Sequence, residues 1–190
     1  IGVRARDFAG HWSLVKNVSL EVQDPSAPTV TSNIATPNGE NGWYASPETL
    51  SWTVEDLESS ITDQTGCDEF VLNSDTTGVT KTCEATSAGG TTTESVTLKY
   101  DATDPTLGTE SWTNNPKLPN ESTTLTLPVN DATSGVLGGE YVIGTDPGPG
   151  LGATMPWDGT KLSADFGTDF DPGTYQIGVR ARDNAGNWSS

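Results

Sequence analysis

Three observations predict an all-β chain built of sandwich cores. Apolar and polar residues alternate with a period of two in run after run. No window carries the 3.6-residue spacing of a long amphipathic helix, and Thr, Ser, Gly, Asp and Pro dominate the sequence. Hydrophobic residues make up only 32% of the 190, a share that also suits disorder. Six Trp and the alternating runs argue for order, because they supply enough apolar surface for thin cores.

The organisation follows from a duplication. Residues 1–13 read IGVRARDFAGHWS and residues 177–189 read IGVRARDNAGNWS, so only Phe8/Asn184 and His11/Asn187 differ across an offset of 176 (177 − 1). A repeat this long means an array of multi-domain units, and the chain is expected to hold the tail of one unit and nearly all of the next. Within the motif, Ile177, Val179 and Ala181 alternate with Gly178, Arg180 and Arg182, the pattern of a half-buried strand. Asp183 to Asn187 then supply turn chemistry, and Trp188 plugs the core. The first copy continues as LVKNVSLEVQD, in which Val18, Leu20 and Val22 alternate with Asn17, Ser19 and Glu21. Residues 1–26 are therefore expected to be the last two strands of a preceding domain. Because the second copy stops before the equivalent strand, Val18, Leu20 and Val22 are expected to complete the second domain of a neighbouring copy, either across a chain break in a continuous polypeptide or by strand donation in a polymer, as a head-to-tail contact that does not close on itself.

Two Pro-bearing stretches, DPSAP at 24–28 and DATDPT at 101–106, read as linkers. They bracket one domain at 27–103 and leave a second at 104–190 that lacks its last strand. In the first, strands are expected at 49–55 (Leu50, Trp52 and Val54 inward), 69–73, 79–85 and 95–100. In the second they are expected at 123–129, 140–143, 162–166 and 174–183. The stretch 144–159, GTDPGPGLGATMPWDG, is rich enough in Gly and Pro to be expected as an exposed, unpaired loop.

The terminal motif YQIGVRARDNAGNWS resembles the closing strands of bacterial Ig-like and fibronectin-III-like repeats. The stretch from GWYASPETLSWTVEDLESS to KTCEATSAGGTTTESVTLKYDATDPT resembles small disulfide-bearing Ig-like repeats of large secreted bacterial proteins. The resemblance implies two tandem Ig-like β-sandwich domains, a bacterial extracellular or cell-surface setting, and a spacer, stalk or adhesive role. It carries no catalytic residues.

Charge and cysteines bound the chemistry. With 26 acidic and nine basic residues the net charge is −17, a field that repels nucleic acid and anionic lipid and attracts cations. No apolar run is long enough to insert in a membrane. Cys67 and Cys83 lack the further Cys or His ligands that zinc needs, since His11 is the only histidine. They read as a disulfide, which implies an oxidising compartment. His11 is Asn187 in the second copy, so the unit does not need it as a base, and carboxylate pairs such as Asp169/Asp171 are expected by chance among 26 acids. An enzyme is not expected.

Calcium is the cofactor to which the acids point, because hard cations take oxygen ligands on loops. The candidate ligands are Asp101 and Asp104 in the linker with Asp183 at the motif turn, and a second set of Asp165, Asp169 and Asp171. Each of these Asp also reads as a turn cap bonded to its own backbone. An alternative function, an adhesin or carbohydrate-binding module gripping a glycan or host surface, would use Trp43, Tyr44, Trp112 and Trp157 as a stacking row. Asn17, Asn120 and Asn187 begin N-x-Ser/Thr triplets. All four arginines lie in the duplicated motif and are expected to find carboxylates on a neighbouring strand or an adjacent domain.

Overall fold

The computed structural model describes residues 1–190 as fifteen strands with no helix. The first two, β1 (Gly2–Val3) and β2 (Lys16–Asn17), form an antiparallel hairpin. A first group follows: β3 (Thr29–Asn33), β4 (Glu48–Glu55), β5 (Asp63–Thr65), β6 (Phe70–Leu72), β7 (Thr76–Ser87) and β8 (Gly90–Tyr100). They make two sheets, β3-β4-β6 and β5-β7-β8. Alternation along β4 and β8 sends Leu50, Leu98 and Tyr100 inward, where they pack with Leu72 and Tyr44. A second cluster joins Val30, Cys83 and Ala85. Complete burial of a leucine such as Leu50 contributes roughly 2 kcal/mol before entropy is counted.

The second group holds β9 (Thr106–Leu107), β10 (Ser111–Trp112), β11 (Thr123–Asn130), β12 (Val136–Ile143), β13 (Ala153–Met155), β14 (Lys161–Phe166) and β15 (Ile177–Asp183). One sheet runs β10-β11-β14 with β9 also on β11, and the other runs β13-β12-β15. Leu125, Leu127, Val129, Leu162, Ala164 and Phe166 project from the first sheet onto Met155 and Ala181 of the second. No helix is long and apolar enough to cross a membrane.

Cys67 and Cys83 form a disulfide, with an S–S distance of 2.01 Å, tying the segment before β6 to β7. Strands β7 and β8 extend well beyond the apolar runs that located them. Cross-strand hydroxyl pairs hold their polar halves together: Thr80 with Thr97, Thr82 with Ser95 and Thr86 with Thr91, each at 2.8 Å.

The expected loop at 144–159 is corrected in its second half. Residues Ala153–Met155 pair with Gly139–Tyr141 of β12, and Met155 is fully buried. The cause is Glu140, a buried carboxylate on β12 that accepts the N–H groups of Gly150 and Gly152 at 2.9 and 2.8 Å. Arg180 donates to Glu140 at 2.6 Å and to Gly148 O at 2.7 Å, so an ion pair replaces the side chains that a Gly-rich segment lacks. Burial pushes the Glu140 carboxyl up, but Gly152, Arg180 and Gly150 together hold it below its ordinary value.

Candidate functional site

Two places in the fold gather more structure than packing requires: the seam between the two groups of sheets, and the free edge of β15.

The seam begins at Asp101, the residue after β8. Its Oδ1 accepts Thr103 N–H at 3.1 Å and its Oδ2 accepts Ser134 N–H at 2.9 Å, so one side chain spans both groups of sheets. Asp131 follows β11, and its Oδ1 closes a turn by accepting the N–H groups of Thr133 and Gly135. Asp183 ends β15; its Oδ1 accepts the N–H groups of Gly186 and Asn187, and its Oδ2 accepts the Asn187 amide at 2.8 Å. Oxygens of the three carboxylates lie within 4.8 Å of one another. Asp101 and Asp183 are wholly buried. Burial pushes the Asp183 carboxyl above its ordinary value against the pull of Asn187 and Gly186, and the facing Asp101 charge pushes the same way.

Further bonds clasp the seam. Glu40 N–H donates to Ala185 O at 2.8 Å, the Asn41 amide to Asn184 O at 2.9 Å, and the Asn187 amide to Asp101 O at 3.0 Å. Arg182 pairs with Glu40 across the seam, and Arg180 pairs with Glu140 on the adjacent strand and with Asp146. Both arginines of the second copy thus have carboxylate partners, whereas Arg4 and Arg6 of the first lie over the Trp12 ring.

At the second place, β15 is the terminal strand of its sheet; residues 187–189 fold back over Ala181–Asp183, and the edge is open along Ile177–Arg180. Beside its open edge lies a groove of about 850 Å³ whose walls include Leu107, Trp112, Phe170, Tyr175, Ile177 and Val179. The hairpin of residues 1–23 makes no hydrogen bond to the rest of the chain, and Val18, Leu20 and Val22 are exposed.

The duplicated motif folds alike in both places. Ser13 N–H donates to Ala5 O as Ser189 N–H does to Ala181 O, and Asp7 N–H donates to His11 O as Asp183 N–H does to Asn187 O. The bridges Arg6–Trp12 and Arg182–Trp188 match as well. His11 Nδ1 lies 3.1 Å from Asp7 Oδ2, where the Asn187 amide meets Asp183. The histidine therefore fills a structural position that an amide fills equally well.

The expected ligand sets are only partly gathered. Asp101 and Asp183 meet, but Asp104 is exposed and outside the cluster, and Asp131 takes the third place. Asp165, Asp169 and Asp171 form no cluster: Asp165 accepts the Thr124 hydroxyl at 2.6 Å, and the other two lie exposed in the loop before β15. The four aromatic residues do not form a stacking row. Trp43 and Tyr44 are buried in the first group, with 7% and 3% exposure, and Trp112 and Trp157 pack half-buried against the core of the second. In a thin sandwich large rings close the core ends, as Trp43 and Tyr44 do here. No protein-family model matches this chain, and no curated protein matches it.

Proposed function

We propose that the chain is a structural repeat module of a long extracellular fibre, stalk or surface protein, made of two Ig-like sandwich domains at 27–103 and 104–190 that join head to tail. In this assembly the strand at 14–23 of one copy leaves β1 for the equivalent edge of β15 in the next. The observation that carries the reading is the pairing inside the first copy of the motif. There Gly2 lies opposite Asn17 and Val3 opposite Lys16, while Ile1 and Val18 exchange two backbone hydrogen bonds of 2.9 Å. Gly178, Val179 and Ile177 are the equivalents of Gly2, Val3 and Ile1 at the offset of 176. The same register on β15 sets Lys16 opposite Val179 and Val18 opposite Ile177, and carries Leu20 and Val22 toward Tyr175 and the groove wall.

An edge strand with unpaired N–H and C=O groups beside an apolar groove is a template for strand addition. The disulfide and the acidic surface suit an extracellular spacer. Residues 1–23 make no hydrogen bond or ion pair to the rest of the chain and belong to none of the core clusters, so their removal leaves both cores intact. Light scattering on the whole chain should show mass rising with concentration. The chain of residues 24–190 should stay monomeric and bind a synthetic peptide of residues 14–24. A whole chain that remains monomeric at high micromolar concentration, or a peptide that fails to bind, refutes head-to-tail joining.

A further inference from the structure

We propose that Asp101, Asp131 and Asp183 bind a divalent cation of the calcium class at the seam, and that Asp24 and Asp56 form a weaker version of the same site at the preceding junction. Proximity of acids alone would not carry this. Three further observations do.

The first concerns charge. The chain's ion pairs join Arg180 with Glu140 and Asp146, and Arg182 with Glu40; none reaches the three seam carboxylates. Two wholly buried carboxylates facing a third with no basic side chain leave like charges uncompensated, and a bound cation is the partner that neutralises all three at once. The second is a vacant acceptor. Asp131 Oδ2 is buried and has no hydrogen-bond partner, although the Oδ1 of the same carboxylate has several. A buried carboxylate oxygen left bare beside a fully bonded one calls for a partner, and of a water and a cation only the cation also offsets the charge. Every donor in the cluster is a hard oxygen on a loop or strand end, the setting that suits calcium better than a thiolate- or imidazole-seeking metal.

The third observation is that the preceding junction has the same plan. Asp24 stands four residues before Pro28, as Asp101 stands before Pro105. Thr29 pairs with Glu55 and Val30 with Val54, in the register in which Thr106 pairs with Asn130 and Leu107 with Val129. Asp24 Oδ1 accepts the N–H two residues on, as Asp101 Oδ1 does. Asp56 closes a turn onto Ser59 N–H, as Asp131 does onto its own turn, and the Ser87 hydroxyl beside it holds its carboxyl below the ordinary value. One difference separates the two. Where β15 ends on Asp183, β7 ends on Ser87, whose hydroxyl donates to Asp24 at 3.4 Å. The exposed Glu58 completes that cluster instead. A hydroxyl and a peripheral carboxylate in place of a buried one lower the charge at the site and its affinity.

This inference is independent of strand exchange between copies. Calorimetric titration of the chelator-treated 190-residue chain with calcium chloride should show one tighter site and one weaker site. Asp131→Asn, which keeps the turn-closing Oδ1 and removes the charge, should weaken the tighter site roughly tenfold or more while the far-ultraviolet spectrum stays unchanged. Ser87→Asp should tighten the weaker site by a comparable factor, a gain that damage to the fold cannot mimic. The proposal is overturned by an absence of calcium binding at millimolar concentration, by magnesium binding without calcium binding, or by an unchanged affinity in both variants.

Discussion

Replacing Cys67 and Cys83 together by alanine should destabilise the first group of sheets and leave the second nearly untouched. The bridge spans a sequence separation of 16, and closing a loop of that size removes about 3 kcal/mol of denatured-state entropy in the chain-entropy model. Cys83 is wholly buried beside Val30 and Ala85, so the lost sulfur also leaves a small cavity that costs about 1 kcal/mol. A total near 4 kcal/mol lowers the melting temperature of a domain of this size by about 15 °C or more. Differential scanning calorimetry of wild type and the double variant, both at saturating calcium, reads this directly. The transition of the first group should fall by that amount while the other moves little. A fall below about 3 °C would refute the loop-closure reasoning, and equal falls in both transitions would refute two separate cores.

Two further perturbations probe the second group. Glu140 is held below its ordinary value, so its contribution is complete above the unfolded carboxyl value and is lost as pH falls through the lower folded one. Acid titration of Glu140→Gln should therefore show a flatter loss of stability below about pH 4.5 than wild type; identical slopes would remove the Glu140 contribution. Gly139→Ala would bring a methyl to 2.4 Å from Leu162 Cδ1 and 2.7 Å from Arg180 O, and chemical denaturation should show a loss of about 2 kcal/mol; a loss under about 0.5 kcal/mol would mean that the strand shifts freely.

Much of the strand layout is legible in the sequence wherever alternation is strong. The runs around Leu50, Leu98, Leu125 and Leu162 sit on β4, β8, β11 and β14 because a half-buried strand must alternate. The short strands β5, β9, β10 and β13 carry two or three residues each, too few for a period to register. Ala153–Met155 is hidden further by the surrounding Gly and Pro, since the partner that orders the segment, Glu140, lies ten or more residues away.

The seam shows the same limit. Asp101 and Asp183 are legible as a linker acid and a turn acid, but Asp131 sits in an ordinary-looking DATSG turn, and only tertiary contact brings the three together. A signal was present: Val54-Glu55-Asp56 with Ser59 and Val129-Asn130-Asp131 with Ser134 share one V-x-D-x-x-S pattern. Asp165, Asp169 and Asp171 misled because closeness in sequence is not closeness in space. Asp165 points outward from a strand, and the other two lie in the loop beyond it.

Strand exchange between copies is tested most directly by a disulfide trap. Lys16→Cys combined with Val179→Cys places thiols on residues that would stand directly opposite across the joined strands, a spacing within disulfide reach. Under mild oxidation, non-reducing electrophoresis should show a ladder of dimers, trimers and longer chains linked between positions 16 and 179. Asn17→Cys with Val179→Cys, shifted by one residue and facing the other side, should stay largely monomeric. Monomers alone from the first pair, or equal ladders from both, would contradict head-to-tail joining in this register.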